Sequence, residues 1–180
     1  DGAMGTELHR AGMPDSVCPE LWMSENPDIP LSIQKKYIAA GSDAILIPSF
    51  GANSLKLAEF GLDKRCSEIN KKLVKISKQA AQSCQERKIL IGADIGPTGK
   101  ILFPTGDLSF ETAVSVFKEQ IQILCGEGID FIMIETMLDI QEARAALIAA
   151  KESSDLPVIV SMTFSDGARS LSGTPPAAAV

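Results

Sequence analysis

The sequence predicts an α/β fold with a parallel sheet, because short apolar segments alternate with helical patterns along the whole chain. Four segments are interpreted as buried strands, at 44–48, 88–94, 130–135 and 156–164. None of them shows a clean alternation of apolar and polar residues, which is typical of strands buried on both faces of a parallel sheet. An order of strand, helix, strand, helix is the pattern of α/β proteins.

The helical patterns between these strands have recognisable starts and periodicities. Segment 66–88 has apolar residues three or four positions apart, which predicts one buried helix face. Ser109, Asp139 and Asn53 are favourable N-cap residues. The main helices are predicted over 28–41, 66–88, 109–128 and 139–154.

Polar side chains follow the predicted strands at their carboxyl ends. Asn53, Asp94, Glu135 and Thr163 occupy such positions, and Asp1 stands in "DGAMGTE", which is interpreted as the end of a strand preceding residue 1. In a parallel α/β fold these ends form one rim, where ligands bind. We therefore expect these five side chains to face one space.

Glu135 is the most informative of these residues, because it ends the apolar run "GIDFIMI". An ionised carboxylate in an apolar interior costs several kcal/mol unless it is paired or hydrogen-bonded. Either a basic side chain such as Arg144 or Arg169 balances the charge, or a positively charged ligand does.

Composition excludes several classes of protein. The 180 residues suffice for one domain with a core, and the net charge of −6 argues against nucleic acid or an anionic membrane as partner. No apolar run approaches the roughly 20 residues that span a bilayer. The four cysteines contain no CxxC pair, which indicates a reducing cytoplasm. Together with His9 they lack the spacing of zinc ligands.

Two architectures fit this order of elements. One is a flavodoxin-like open sheet, and the other is the first five-eighths of a (β/α)8 barrel, which takes about 250 residues. Residues 167–180 are interpreted as a loop and the first turn of a helix that begins at Pro175 or Pro176. The chain is therefore expected to stop within a βα unit, which favours the barrel.

Six motifs occur in the order found in the homocysteine S-methyltransferase family, which the chain resembles over nearly its whole length. They are "DGAMGTEL" (1–8), "PEL" with "NPD" (19–28), "SFGAN" (49–53), "DIGPTG" (94–99), "ETMLDIQEARAAL" (135–147) and "MTFSDGARSLSGTPP" (162–176). The resemblance is greatest to the homocysteine-binding barrel of cobalamin-dependent methionine synthases. It implies a (β/α)8 TIM barrel, with residues 1–180 as an N-terminal portion of about five βα units, truncated at both ends.

The resemblance also implies a reaction in methionine biosynthesis. Homocysteine would bind as a zinc thiolate and accept a methyl group from methylcobalamin, which another domain carries, with folate-binding domains as further partners. The family holds zinc with cysteines in an "NC" and a "CC" motif, and this sequence contains neither. The zinc ligands are therefore expected after Val180, no catalytic residue is expected in this chain, and the fragment alone is expected to be inactive.

The resemblance assigns the amino group of homocysteine to Glu135, with Asp1 as its companion. Gly2 would let the backbone approach the ligand carboxylate closely. The substrate-binding set expected from rim position and resemblance together is Asp1, Gly2, Phe50, Asn53, Asp94, Glu135 and Thr163. Structural roles compete: Asn53 could cap a helix and Asp94 could fix a turn. The stretch "IPSFGAN" departs from the family, which often has Thr-Asn-Thr before the Phe, and this departure would change the lining of the pocket.

Other functions stay open at this point. A methyltransferase that uses S-methylmethionine or betaine is the nearest alternative. An aldolase-type barrel would need a lysine at a strand end for Schiff-base chemistry, and the nearest loop lysine is Lys100. A flavodoxin-like binding domain would have no chemistry of its own.

Overall fold

A computed structural model of the chain describes residues 2–165 and 167–179. Within these residues, seven α-helices and four strands alternate. The strands are β1 (Ala44–Leu46), β2 (Leu90–Ile95), β3 (Phe131–Met137) and β4 (Val158–Met162). The helices are α1 (Met4–Arg10), α2 (Pro19–Glu25), α3 (Asp28–Ala39), α4 (Ser54–Ala58), α5 (Cys66–Gln82), α6 (Phe110–Gly126) and α7 (Ile140–Ser153), with short 3₁₀ turns at Asp63–Arg65 and Pro176–Ala178.

All four predicted strands are confirmed, and they form one parallel sheet in the order β1-β2-β3-β4. The order never reverses along the described sheet. Parallel crossovers are almost always right-handed, so a sequential order places every crossover helix on the same face. The contacts agree, because α3 packs on α5, α5 on α6, and α6 on α7. This is the arrangement of successive units in a (β/α)8 barrel, and it differs from the two helical layers of a flavodoxin-like sheet.

The four predicted main helices are also confirmed, and the three predicted caps are present. Ser109 Oγ accepts a hydrogen bond from the backbone N of Thr112 at 3.1 Å. Asp139 Oδ1 accepts one from the backbone N of Gln141 at 2.7 Å. Each helix ends one to six residues before the predicted end. The helix predicted from Pro175 or Pro176 is a single 3₁₀ turn in the described part of the chain.

The core lies between the sheet and its helices. Phe117 and Ile121 on α6 and Ile132 and Ile134 on β3 are fully buried there. The outermost described strand, β4, is less covered, with Ile159 52% exposed. The carboxyl ends of β1, β2 and β3 are thus fixed side by side on a packed scaffold.

Candidate functional site: an acidic cleft at the strand ends

A cleft of about 360 Å³ opens at the carboxyl ends of the first three strands. Its lining residues come from the N-terminal segment and from β1, β2 and β3 with the residues that follow them: Gly2, Ala3, Met4, Leu46, Pro48, Asp94 and Glu135. Three predicted site residues, Gly2, Asp94 and Glu135, are therefore brought together. Asp1, the predicted companion of Glu135, lies outside the described residues. Pro48 belongs to the stretch in which the sequence departs from the family.

Asp94 is the buried carboxyl group of this cleft, with 8% of its surface exposed. Its Oδ1 atom is buried and has no hydrogen-bond partner within the described part of the chain. Burial, then the charge and hydrogen bond of Glu135, then the charge of Glu20 raise the pKa of Asp94 to about 9. Asp94 is therefore protonated at neutral pH, so that it donates the hydrogen bond and Glu135 accepts it.

Glu20 is a third acid near the cleft, and the sequence reasoning did not single it out. It lies on α2 with 7% exposure. Its Oε1 atom accepts a hydrogen bond from the backbone N of Gly51 at 2.9 Å, and its Oε2 atom accepts a longer one from Cys18 Sγ at 3.5 Å. Glu20 thereby ties α2 to the loop after β1. The available signal was the family motif "PEL", whose acid lies in the first turn of a helix.

These acids lack a positively charged partner. No ion pair between described residues includes Glu20, Asp94 or Glu135. The two basic residues considered for Glu135 bind elsewhere: Arg144 donates to Gln141 Oε1 and Arg169 to the carbonyl of Gly173. A cluster of acids without a basic partner favours a bound cation.

The backbone changes conformation next to Glu135. Thr136 has a φ of 58°, and the pairing of β3 with β4 shifts register between Ile134 and Met137. Thr136 Oγ1 donates to Glu135 Oε2 at 3.4 Å, and the backbone N of Thr136 donates to Ser161 Oγ at 3.3 Å. Glu135 therefore has a hydrogen-bond donor beside it on its own strand, in addition to Asp94.

The loop after β2, "IGPTG", is fixed to α7 by a third buried acid, Glu142. Glu142 Oε1 accepts hydrogen bonds from the backbone N and the hydroxyl of Thr98, at 2.8 and 2.6 Å. Burial raises the pKa of Glu142, and the two bonds from Thr98 oppose this effect. The contact holds the loop that follows Asp94 in one position, and local sequence gave no signal for it.

Three predicted site residues do not line the cleft. Asn53 is fully buried and caps α4, since its Oδ1 atom accepts from the backbone N of Lys56 at 2.9 Å. Phe50 covers Gly96, where any β-carbon would lie 2.6 Å from the ring. Thr163 is exposed, and its backbone N donates to the carbonyl of Met137. Their roles in binding stay predictions.

The described residues do not form a zinc site. Residues 2–165 and 167–179 contain no group of three or more His, Cys, Asp or Glu that could hold a metal ion. Zinc binds thiolates, whereas burial raises the pKa of the Cys18 thiol to about 11 and that of Cys66 to about 12. The zinc cysteines expected after Val180 remain a prediction. In the same described residues, no helix is long and apolar enough to cross a membrane.

A sequential parallel sheet and helices packed in one layer define the chain as part of a barrel-type α/β protein. Its polar cleft lies at the strand ends, where such barrels bind ligands. The family model described as "Homocysteine S-methyltransferase" matches residues 1–180. The chain belongs to this family.

Individual relatives agree with this membership. The methionine synthase of Mycobacterium tuberculosis is 27% identical over 162 residues, which are 85% of this chain and 13% of that protein. The metallated form of the homocysteine methyltransferase MmuM from Escherichia coli superposes with a TM-score of 0.79 at 22% identity, covering 96% of this chain and 65% of that one. Its apo form has a TM-score of 0.69 and 62% of its chain is covered. The chain thus spans less than two thirds of each of these proteins, and the MmuM match shows the fold alone.

Proposed function

We propose that this chain is the homocysteine-binding portion of a homocysteine S-methyltransferase of the methionine synthase type. The observation that carries the proposal is the cleft, in which Asp94 and Glu135 lie together without a positively charged partner among the described residues. The family acts on homocysteine. The ammonium group of this amino acid is the cation that the cleft would accept.

The cleft suits an ammonium group for a physical reason. Glu135 would accept a charge-assisted hydrogen bond from the ammonium, and such bonds are about twice as strong as neutral ones. In the free protein, the proton on Asp94 reduces the repulsion between the two carboxyl groups. An ammonium group between them would take over this role, and the proton of Asp94 could then leave.

The N-terminal segment contributes Gly2, Ala3 and Met4 to the lining of the cleft. A side chain at Gly2 would collide with the ring of Tyr37, and the Tyr37 hydroxyl donates to the carbonyl of Ala3 at 2.9 Å. This contact holds the N-terminal segment against the cleft. Gly2 lines the cleft, and we propose that its backbone N–H approaches the ligand carboxylate.

The proposed reaction is methyl transfer to the sulfur of homocysteine. A bond forms between this sulfur and the methyl carbon, the bond from the methyl carbon to its donor breaks, and the thiol proton is lost. Methylcobalamin on another domain is the proposed donor, with cobalamin- and folate-binding domains as partners, because the curated relative is a methionine synthase of which this chain covers 13%.

S-methylmethionine or betaine as donor is the alternative, and it would use the same ammonium clamp. Zinc remains a proposed cofactor of the complete enzyme, but the described residues of this chain do not fit it. An aldolase-type reaction is disfavoured, because the lining of the cleft contains no lysine. A cytoplasmic location is proposed from the four free cysteines.

Titration calorimetry tests the clamp with homocysteine and with mercaptobutyrate, which has a hydrogen in place of the amino group. We expect homocysteine to bind at least ~10-fold more tightly, and Glu135→Gln to weaken homocysteine alone by about 10- to 100-fold, since a hydrogen bond to a charged group contributes roughly 1.5–3 kcal/mol. Glu111→Gln, in the exposed first turn of α6, is the matched control and should bind as the unchanged protein does.

Two results would contradict the proposal. The first is equal affinity for the two ligands. The second is a normal homocysteine affinity of Glu135→Gln together with a lowered melting temperature, which would make Glu135 a structural residue and move the clamp elsewhere on the rim.

A further inference from the structure

We propose that Thr136 is a positioning residue for the ligand, which keeps the carboxylate of Glu135 directed into the cleft. Thr136 was not among the expected site residues, and it does not line the cleft itself. The inference rests on the proposed function in one respect, namely that Glu135 receives the ammonium group.

The first observation is the backbone of Thr136. Its φ of 58° lies in the left-handed region, which a β-branched residue rarely adopts. Among the described residues, one other non-glycine residue has a positive φ, Ala168, and it lies in an exposed turn far along the chain from the cleft residues. Strained conformations of this kind persist where the surroundings enforce them, and they cluster at functional sites.

The second observation is that β3 has one extra residue between Ile134 and Met137, the interval that contains Glu135 and Thr136. Ile134 pairs with Val160 and Met137 with Met162, so β3 takes three steps where β4 takes two. Ile132, Ile134 and Met137 are buried, which means that the alternation of faces slips at this point. Without the extra residue, regular alternation would not allow Glu135 to face the cleft and Met137 to enter the core. Bulges redirect side chains in this way beside active sites.

The third observation is that both hydrogen-bond donors of Thr136 are used. Its backbone N donates to Ser161 Oγ at 3.3 Å, which anchors the bulge to β4. Its hydroxyl donates to Glu135 Oε2 at 3.4 Å. Together with the hydrogen bond from Asp94, this bond restricts the carboxylate of Glu135 before any ligand arrives. A preorganised acceptor loses less entropy on binding.

Glycine is the residue that would relieve the backbone strain, so the presence of threonine requires another reason. The hydroxyl supplies that reason. A purely structural role for residue 136 predicts that Thr136→Gly is neutral or stabilising and that ligand affinity is unchanged. A positioning role predicts the same effect on stability together with a weaker ligand affinity.

Three variants separate these roles. Thr136→Ser keeps the hydroxyl and should bind homocysteine within about 2-fold of the unchanged protein. Thr136→Val keeps the branched shape but loses the hydroxyl, and should bind about 3- to 10-fold more weakly, the lower end of what a hydrogen bond to a charged group contributes. Thr136→Gly should bind at least as weakly as Thr136→Val, with an unchanged or higher melting temperature.

Calorimetry with homocysteine and crystal structures of the ligand-free variants test the inference. Affinities of Thr136→Val and Thr136→Gly equal to that of the unchanged protein, beside a weakened Glu135→Gln, would overturn it while leaving the proposed function intact. Failure of the unchanged protein to prefer homocysteine over mercaptobutyrate would instead overturn the proposed function. The crystal structures test the positioning role in the absence of ligand. We expect the Glu135 carboxylate to turn away from the cleft in Thr136→Gly. An unchanged orientation of this carboxylate would overturn the inference.

Discussion

Carboxyl groups in two regions of this molecule have opposite surroundings. On the exposed surface of α5, Glu68 accepts hydrogen bonds from Arg65 Nε at 2.9 Å and Lys72 Nζ at 2.7 Å. The bond from Arg65, and then that from Lys72, lower the pKa of Glu68 to about 2. In the cleft, burial followed by the charge of Glu135 raises the pKa of Asp94 to about 9.

The two regions differ in whether their acids have a basic partner within the protein. On a helix surface, a partner three or four residues away is provided by the sequence itself, and such exposed pairs contribute little to stability. The acids in the cleft come from β2 and β3, and Glu20 of α2 lies near them. No ion pair between described residues brings an opposite charge to any of the three. Clustered acids disfavour the folded state, and a cationic ligand is what would relieve this effect.

The largest effect is expected when a positively charged side chain is introduced into the cleft, which removes the difference between the two regions. Glu135→Lys places an ammonium group beside Asp94, as Lys72 is placed beside Glu68. We expect homocysteine affinity to fall by at least ~100-fold, because the lysine would repel the ammonium group of homocysteine, which Glu135 attracts. The melting temperature should not fall, and the pKa of Asp94 should move down. Calorimetry, thermal melts and carboxyl-carbon NMR measure the three effects; unchanged affinity would remove the clamp from this cleft.

Asp94→Asn tests how the buried carboxyl group of the cleft makes the free energy of unfolding depend on pH. The pKa of Asp94 is about 9 in the folded chain, well above the value of about 3.9 expected when the chain is unfolded. The folded state therefore binds the proton more tightly, and this contribution to stability is full below the unfolded value and lost as the pH rises toward 9. Between pH 5 and 8 we expect the free energy of unfolding to decline by up to about 1.4 kcal/mol per pH unit.

In Asp94→Asn this decline should be largely removed, because an amide donates to Glu135 at every pH. Denaturant unfolding across this pH range checks the slope, and Asp107→Asn, in the loop before α6, is a control that should keep it. Equal slopes in the unchanged protein and Asp94→Asn would mean that Asp94 is ionised in the free protein.

The smallest effect is expected on the surface of α5. Glu68→Gln removes the charge that Arg65 and Lys72 share, and we expect unchanged homocysteine affinity. Its slight loss of thermal stability should disappear in high salt, because exposed ion pairs are screened. Melts at low and high salt test this expectation; a loss that persists in high salt would show that the contrast between the two regions is not one of solvent exposure.

The sequence indicated more of the fold than of the site. Strand segments and the caps Ser109, Asp139 and Asn53 depend on local patterns, and the structure confirms them. The expectation that residues at the carboxyl ends of parallel strands face one space was correct for Asp94 and Glu135, because these strand ends meet at one edge of the sheet. Phe50, Asn53 and Thr163 were also expected to line the cleft, and they do not. The direction of a loop side chain depends on the residues that pack against it, which the sequence pattern does not show.

The sequence by itself determined the alternation of strands and helices, the family motifs and an acid at the ends of β2 and β3. Tertiary structure decided that Glu20 joins them from α2, that burial raises the pKa of Asp94, and that β3 has one extra residue between Ile134 and Met137 where it pairs with β4. The physical reason is the separation along the chain over which each effect acts. Capping and periodicity act within a few residues, whereas burial, the repulsion between acids and strand register depend on groups that only the folded chain brings together.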